Sequence, residues 1–440
     1  MAARTEHPPR VAIVTLGCSK NTVDSETLAA YLQRHGVELT APEHASVLIL
    51  NTCGFIQPAK LESISAIVEA VERKQAGSLA QLIVMGCLSA RYAEELRQEF
   101  PEVDYFFGPE AYEPIARVVL GDARYELLGE RLLSTPSHFA YLKISEGCDH
   151  GCSFCAIPLI RGRHRSRPME QLLQQAQDLL HRGVRELILI AQDTTAYGID
   201  LYGRRRIAEL VSRLASLPGI AWVRLLYAYP TDFPEELLQV IAEHPTVCKY
   251  LDIPLQHVST RVLRSMRRGM TRQSIERLLE RIRSRVPGIA LRTTFIVGYP
   301  NETEEDFREL CEFVRWARFE RLGVFTYSAE EGTPAWSLGD PIPEEVKQER
   351  SRELMELQRS ISRELNSAKI GTVQRVLIDE ELAPGEYLGR TEFDAPEVDC
   401  EVYVRSPVPL SPGTFVMVEI EDAGDYELYG SANVTVPTPA

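Results

Sequence analysis

Three short apolar runs, VAIVTLGC, SVLILNTC and QLIVMGC, each end in a cysteine and each lead into a helical stretch, at 21–35, 57–75 and 89–99. Short apolar strands alternating with helices are the pattern of a parallel α/β sheet. In an open parallel sheet the carboxyl ends of the strands share one edge, and ligands bind there. Cys18, Cys53 and Cys87 are therefore expected to converge, although they are far apart in sequence. Three buried core thiols would be the plainer reading, since free cysteine is among the most buried residue types. Core packing, however, gives no reason for a thiol to fall at the same strand end three times.

After a Ser/Thr/Pro-containing linker, LLSTPSHF, the alternation repeats six times. The candidate strands are AYLKISEGC, ELILIAQD, WVRLLYAY, YLDIPLQ, ALRTTFIVGYP and RLGVFTYS, separated by helices such as EQLLQQAQDLLHR, PEELLQVIAEH and TEEDFRELCEFVRWAR. Six β/α units predict a partial (β/α)6 barrel, with function on the loops at the carboxyl ends of its strands. A long charged helix, PEEVKQERSRELMELQRSISRELNS, follows. Beyond it, short alternating strands with turn signals predict a small five-stranded antiparallel barrel. The expected fold class is thus α/β with a C-terminal β-barrel, divided at 1–135, 138–368 and 370–440.

The loop after the first barrel strand carries SEGCDHGCSFCAIPLIRGR, in which Cys148, Cys152 and Cys155 are followed by no fourth cysteine. Structural zinc takes a closed set of four ligands, commonly as CxxC pairs, and C-x3-C-x2-C does not supply it. A 4Fe-4S cluster held by three thiolates keeps one iron open for a substrate or cofactor. The start, MAARTEHPPR, has no apolar stretch of signal-peptide type, and no apolar run is long enough to span a bilayer, so a cytoplasmic location is expected. In a reducing compartment the nine cysteines point to metal or redox chemistry before disulfides.

CDHGCSFC resembles the signature of the radical S-adenosylmethionine (SAM) enzymes. The resemblance implies that the open iron chelates the amino and carboxylate groups of SAM, and that an electron cleaves it to a 5′-deoxyadenosyl radical. LGCSKN, LNTCGFI, VMGCLSARY, ISEGCDHGCSFCAIPLIRGRHRSRP, YLDIPLQH, RTTFIVGYPNETEEDF and TYSAEEGTPA together look like the methylthiotransferase subgroup of that family. The resemblance covers essentially the whole chain. It implies a second, auxiliary 4Fe-4S cluster in the N-terminal domain, with Cys18, Cys53 and Cys87 as ligands, and a methylthio group transferred to an unactivated carbon. No side-chain acid or base is expected as catalyst, because the cofactors carry the chemistry.

For SAM, the ends of the barrel strands offer candidates. Gln192 and Asp193 could bond its amino group, and Gln256, Arg292 and Thr294 its carboxylate and ribose oxygens. Val297 and Gly298 resemble the adenine-contact region of the family. Polar residues at strand ends can equally be loop caps. Arg161, Arg163, Arg165 and Arg167, which flank His164, either line the mouth of the site and attract an anionic group or form a solvated loop. Cys248, Cys311 and Cys400 lack a partner pattern and are expected to be ordinary small side chains.

The formal charge of −15 is concentrated at the end of the chain. Residues 372–440 hold three arginines, no lysine and fourteen acidic residues. The position and pattern of this segment resemble a TRAM domain, an oligonucleotide-binding-like module. RNA binding relies on Lys and Arg neutralising phosphates, so direct RNA binding by this domain is not expected. An acidic module suits a basic protein. The resemblance of RTEFDAPEVDCEVYV then selects the branch that modifies the β-carbon of an aspartate in basic ribosomal protein S-twelve, free or within the small subunit. Cys400 stands where that branch leads us to expect glycine. An electron donor such as flavodoxin or ferredoxin is implied. Two other readings stay open: a MiaB-like tRNA adenosine methylthiotransferase, favoured by the arginine loop, and a non-catalytic two-cluster electron carrier.

Overall fold

The computed structural model describes residues 9–121 and 130–435. The first eight residues, on which part of the signal-peptide reading rests, lie outside the described residues, as does the end of the expected third domain. The chain divides into two compact units. One comprises Met1–Ser134 with Glu146–His150 and Cys155–Arg165, and the other comprises Thr135–Ser145, Gly151–Phe154 and Ser166–Ala440.

The first unit is built on a five-stranded sheet: β1 (Arg10–Thr15), β2 (Glu38–Leu39), β3 (Val47–Thr52), β4 (Gln81–Gly86) and β5 (Tyr105–Phe107), in the order β2-β1-β3-β4-β5. Every pairing is parallel. The expected helices form over Ser19–Arg34, Gln57–Gln75 and Cys87–Glu99. Chain order reverses between β1 and β3, and ligands bind at such a switch point. Both faces of the sheet are covered. Leu48, Leu50, Leu82 and Val84 pack with Ile67, Ala70 and Val71 on one side, and Val11, Ile49, Ile83 and Met85 with Leu28, Leu32 and Ile115 on the other.

In the second unit six parallel strands follow in sequence order: β6 (Phe139–Lys143), β7 (Glu186–Ile190), β8 (Trp222–Leu225), β9 (Val247–Asp252), β10 (Ala290–Val297) and β11 (Arg321–Thr326). These are the six strands read from the sequence. Their helices include Met169–His181, Glu235–Glu243 and Glu304–Ala317. The last begins with a reciprocal cap between Thr303 and Asp306, an arrangement that contributes about 1 kcal/mol. The charged helix Glu344–Ser367 leads to a closed barrel of β12 (Val373–Ala383), β13 (Glu386–Thr391), β14 (Glu401–Arg405), β15 (Phe415–Ala423) and β16 (Glu427–Thr435). Its interior is filled by Val376, Ile378, Val402, Val404, Val416, Val418, Ile420 and Leu428.

The closed barrel is fastened to the six-stranded sheet by buried ion pairs. Glu186 on β7 receives Arg224 of β8 at 2.8 Å and also Arg390 of β13. Arg321 of β11 pairs with Asp394, Arg292 of β10 reaches Asp399 at 3.3 Å, and the Tyr250 hydroxyl donates to Asp399 at 2.6 Å. His138 Nε2 lies 2.7 Å from Asp379. Part of the acidic excess at the end of the chain is therefore turned inward against barrel arginines. The exposed remainder consists of Glu380, Glu381, Glu386, Glu397, Glu401, Glu419, Glu421 and Asp422. Among the described residues, no helix is long and apolar enough to cross a membrane.

Candidate metal centres

Cys18 caps helix Ser19–Arg34 after β1, Cys53 follows β3 directly, and Cys87 opens helix Cys87–Glu99 after β4. These three strands are neighbours in the sheet, so the three thiols meet at one edge, as their sequence positions imply. The approach is close enough to require glycine. Gly17 has φ +94°, and a Cβ placed on it would come within 2.7 Å of Cys53 Cβ and 3.0 Å of its sulfur. A Cβ on Gly54 would meet the Leu88 backbone at 2.7 Å.

Short polar bonds hold this edge in place. Asn21 Nδ2 donates to Leu16 O at 2.8 Å and to Thr52 O at 3.2 Å, tying the ends of β1 and β3 together. Ser63 Oγ accepts from the Cys53 amide and donates to the Cys53 carbonyl, both at 2.9 Å. Thr52 Oγ1 donates to Met85 O at 2.6 Å. Burial pushes the Cys53 thiol up to about 11, reinforced by Cys87 and Cys18 and opposed by the Phe55 amide and Arg161. Burial likewise raises Cys87, while Arg161 lowers it. A metal that binds here must displace these protons, so its affinity falls as pH falls. Three thiols converging on one edge suit a 4Fe-4S cluster with one open iron.

Sequence reasoning missed the role of Arg161. It is 5% exposed, not part of an open mouth. Its Nη1 lies 3.0 Å from Asp24 and 2.9 Å from Glu146, and its Nη2 lies 2.6 Å from Asn21 Oδ1 and 3.4 Å from Cys87 Sγ. Asp24, Glu110 and Glu146 place carboxylate oxygens within 4.8 Å of one another, and arginines occupy the group, since Arg165 pairs with Glu110 at 3.3 Å. Arg163 is exposed and lies 3.3 Å from Asp149. The functional split within RGRHRSR was hidden because the partners of Arg161 are remote in sequence.

The second set of thiols is carried on the loop after β6. The Cys148 amide donates to Gly162 O at 3.1 Å, and Gly147, at φ +77°, sits where a Cβ would be 2.1 Å from Arg163 O. The turn therefore closes tightly beside Cys148. Cys152 is buried, with Tyr229 Oη at 3.7 Å and Arg268 Nη1 at 3.4 Å from its sulfur. Arg268 also stacks 4.3 Å from the Tyr229 ring centroid. Ser153 fixes the loop through bonds to Ser265 O and Tyr299 Oη, at 2.8 and 2.9 Å. Cys148 and Cys155 are half-buried. Three thiolates within eight residues suit a second cluster with an open iron.

The candidate SAM contacts divide. Gln192 is half-buried, and Asp193 Oδ1 accepts from the Thr195 amide and hydroxyl at 2.8 and 2.6 Å and from the Ala196 amide at 3.3 Å. Asp193 thus caps its own loop. Gln256, at φ +73°, bonds through its backbone to Thr294 O and the Ile296 amide, which places it beside Thr294 on β10. Val297 is buried, and the Gly298 amide donates to Glu302 at 2.7 Å. Arg292 differs from the strand-end expectation. It is the third residue of β10, and its guanidinium is engaged by Asp252 at 3.1 Å and Asp399. Cys248, Cys311 and Cys400 are buried and free.

Three family models match separate segments of the chain. The radical SAM superfamily matches residues 142–314, the uncharacterized protein family UPF0004 matches 10–108, and the TRAM domain matches 370–432. Among solved structures, the radical SAM methyltransferase TsrM of Kitasatospora setae, with cobalamin and a 4Fe-4S cluster bound, resembles this chain in fold. Its TM-score is 0.55 at 14% identity, covering 86% of this chain and 80% of that one. The ribosomal protein uS12 methylthiotransferase RimO of Christiangramia forsetii is 51% identical over 98% of this chain and 96% of its own length. The RimO of Chlorobium luteolum is 52% identical over 97% and 98%. With cysteine sets on both sheets and identity near one half along almost the whole length, the chain belongs to the RimO family of radical SAM methylthiotransferases.

Proposed function

We propose that this protein adds a methylthio group to the β-carbon of an aspartate in ribosomal protein S-twelve, in the cytoplasm. The near full-length likeness to proteins named for that substrate carries the reading. Residues 1–135, through Cys18, Cys53 and Cys87, would hold an auxiliary 4Fe-4S cluster, and Cys148, Cys152 and Cys155 in 138–368 the SAM-chelating one. When bound, these groups supply a hydrogen-abstracting radical and the sulfur that is transferred. The residues of the chain place and shield the cofactors. Gln192, Gln256, Thr294, Val297 and Gly298 remain the proposed SAM neighbours, with Asp193 setting the turn beside Gln192. Arg292 is better assigned to fastening β10 to the closed barrel.

The exposed carboxylates of the closed barrel support docking of a basic protein and disfavour direct RNA binding. Flavodoxin or ferredoxin would deliver the electron. The test is anaerobic: reconstitute with iron and sulfide, add SAM and a reductant, offer protein S-twelve and bulk tRNA together, and weigh both products. A methylthio increment on an aspartate of the protein is expected. The increment on tRNA alone would overturn the assignment, and intact clusters without SAM cleavage would leave only an electron carrier.

A further inference from the structure

We infer that Arg161 is a positioning residue for the cluster held by Cys18, Cys53 and Cys87, a fixed cation that hydrogen-bonds the Cys87 sulfur and raises the reduction potential of that cluster. The inference rests on the assignment of those three cysteines as ligands. Arg161 is six residues beyond Cys155 in sequence, yet its guanidinium lies at the edge of the N-terminal sheet. The short helix Ile157–Arg161 brings it there, with Ile160 and Ala156 packed beside Cys87 and Ala90.

Two features separate this role from simple neutralisation of Asp24 and Glu146. First, Nη1 bonds Asp24 and Glu146, while Nη2 bonds Asn21 Oδ1 at 2.6 Å and Cys87 Sγ at 3.4 Å. Asn21 is the residue that ties the ends of β1 and β3, so one guanidinium orders both a ligand sulfur and the bracket around it. Second, Arg161 is almost completely buried, where water screens its field poorly. A one-electron reduction makes the cluster more negative. A cation at hydrogen-bond distance from a ligand sulfur stabilises the reduced form more than the oxidised form and raises the potential. Asp24 acts in the opposite sense. Held by Tyr112 Oη at 2.8 Å and by Arg161, it keeps a negative charge near the same cluster.

The experiment uses the full chain with Cys148, Cys152 and Cys155 replaced by alanine, so that only the N-terminal cluster assembles. Iron is counted, and the cluster is titrated with one-electron mediators under electron paramagnetic resonance. Relative to this parent, Arg161→Gln is expected to shift the potential negative, Arg161→Lys to restore most of the shift, and Asp24→Asn to shift it positive. Shifts of opposite sign distinguish electrostatics from a general loosening of the fold. Should Arg161→Gln fail to hold iron, Arg161→Lys and Asp24→Asn carry the decision. An Asp24→Asn potential that is unchanged or more negative would overturn the inference. A parent without iron would instead refute the assignment of Cys18, Cys53 and Cys87, and with it everything built on them.

Discussion

Gly17→Ala tests the geometry at the sheet edge most directly. The residue has φ +94°, a conformation that costs an L side chain about 1–2 kcal/mol. The new methyl would also stand 2.7 Å from Cys53 Cβ, about 1 Å inside the contact distance of two carbons, and such overpacking adds roughly 1–3 kcal/mol. The total, about 2–5 kcal/mol, corresponds to a fall in Tm of roughly 4–20 °C. If relief comes by displacing Cys53, the movement exceeds the ~0.2 Å tolerance of a metal site. Iron after anaerobic reconstitution should then fall from about eight to about four atoms per chain. Gly36→Ala is the control. Gly36 has φ +84°, but a methyl added there would meet nothing within 4 Å, so the substitution should lower Tm modestly and retain all iron. Calorimetry and iron analysis of the two variants decide the matter. Full iron and a wild-type Tm in Gly17→Ala would refute the claim that the Gly17–Cys53 approach shapes the site.

Three further expectations can be checked in the same preparations. Cys152→Ala should abolish SAM cleavage, whereas Cys53→Ala should retain some cleavage and lose sulfur insertion; equal loss of both activities in each folded variant would contradict separate roles for the two cysteine sets. Glu186→Gln removes the shared partner of two buried arginines and should destabilise the protein by roughly 3–5 kcal/mol; a denaturation midpoint matching that of the exposed-site control Glu401→Gln would reject this. His257 is fully buried, and burial pushes it down to about 3. The unfolded chain binds a proton near pH 6.5 while the native histidine stays neutral, so this contribution to stability is present above pH 6.5 and is lost as pH falls toward 3. Glu302, 3.8 Å away and pushed up to about 7 by burial, works in the opposite sense, so the comparison must be with His257→Gln. Between pH 6.5 and 5 the stability gap should move by about 1.6 kcal/mol in favour of the variant; a constant gap in urea titrations would refute it.

Much of this architecture was legible in the sequence, for physical reasons that particular residues make plain. Cys18, Cys53 and Cys87 could be placed together because parallel strands order their ends automatically, and six apolar runs with intervening helices announce the second sheet. The strands Glu38–Leu39 and Tyr105–Phe107 escaped because two or three residues carry no period. Arg161 was misread as part of an exposed basic run. Its partner Asp24 lies 137 positions upstream, and charge pairing at that distance leaves no local trace. The same limit applies at the other end of the chain. A count of carboxylates in residues 372–440 reads them all as surface, but Asp394 and Asp399 are turned onto Arg321 and Arg292.

The discontinuity of the first unit has a consequence for synthesis. A ribosome that has released residue 134 has delivered the complete five-stranded sheet, yet Cys87 and Asp24 still lack the guanidinium that covers them. It arrives only with the segment ending at residue 165, about thirty residues later. During that interval Asp24 keeps its bond from Tyr112 but lacks the Arg161 cation, and the thiol edge lacks the same cover. A gene fragment ending at the linker would preserve that immature state permanently. The natural cut for a portable N-terminal module therefore lies beyond Arg165, past the cysteines of the neighbouring loop.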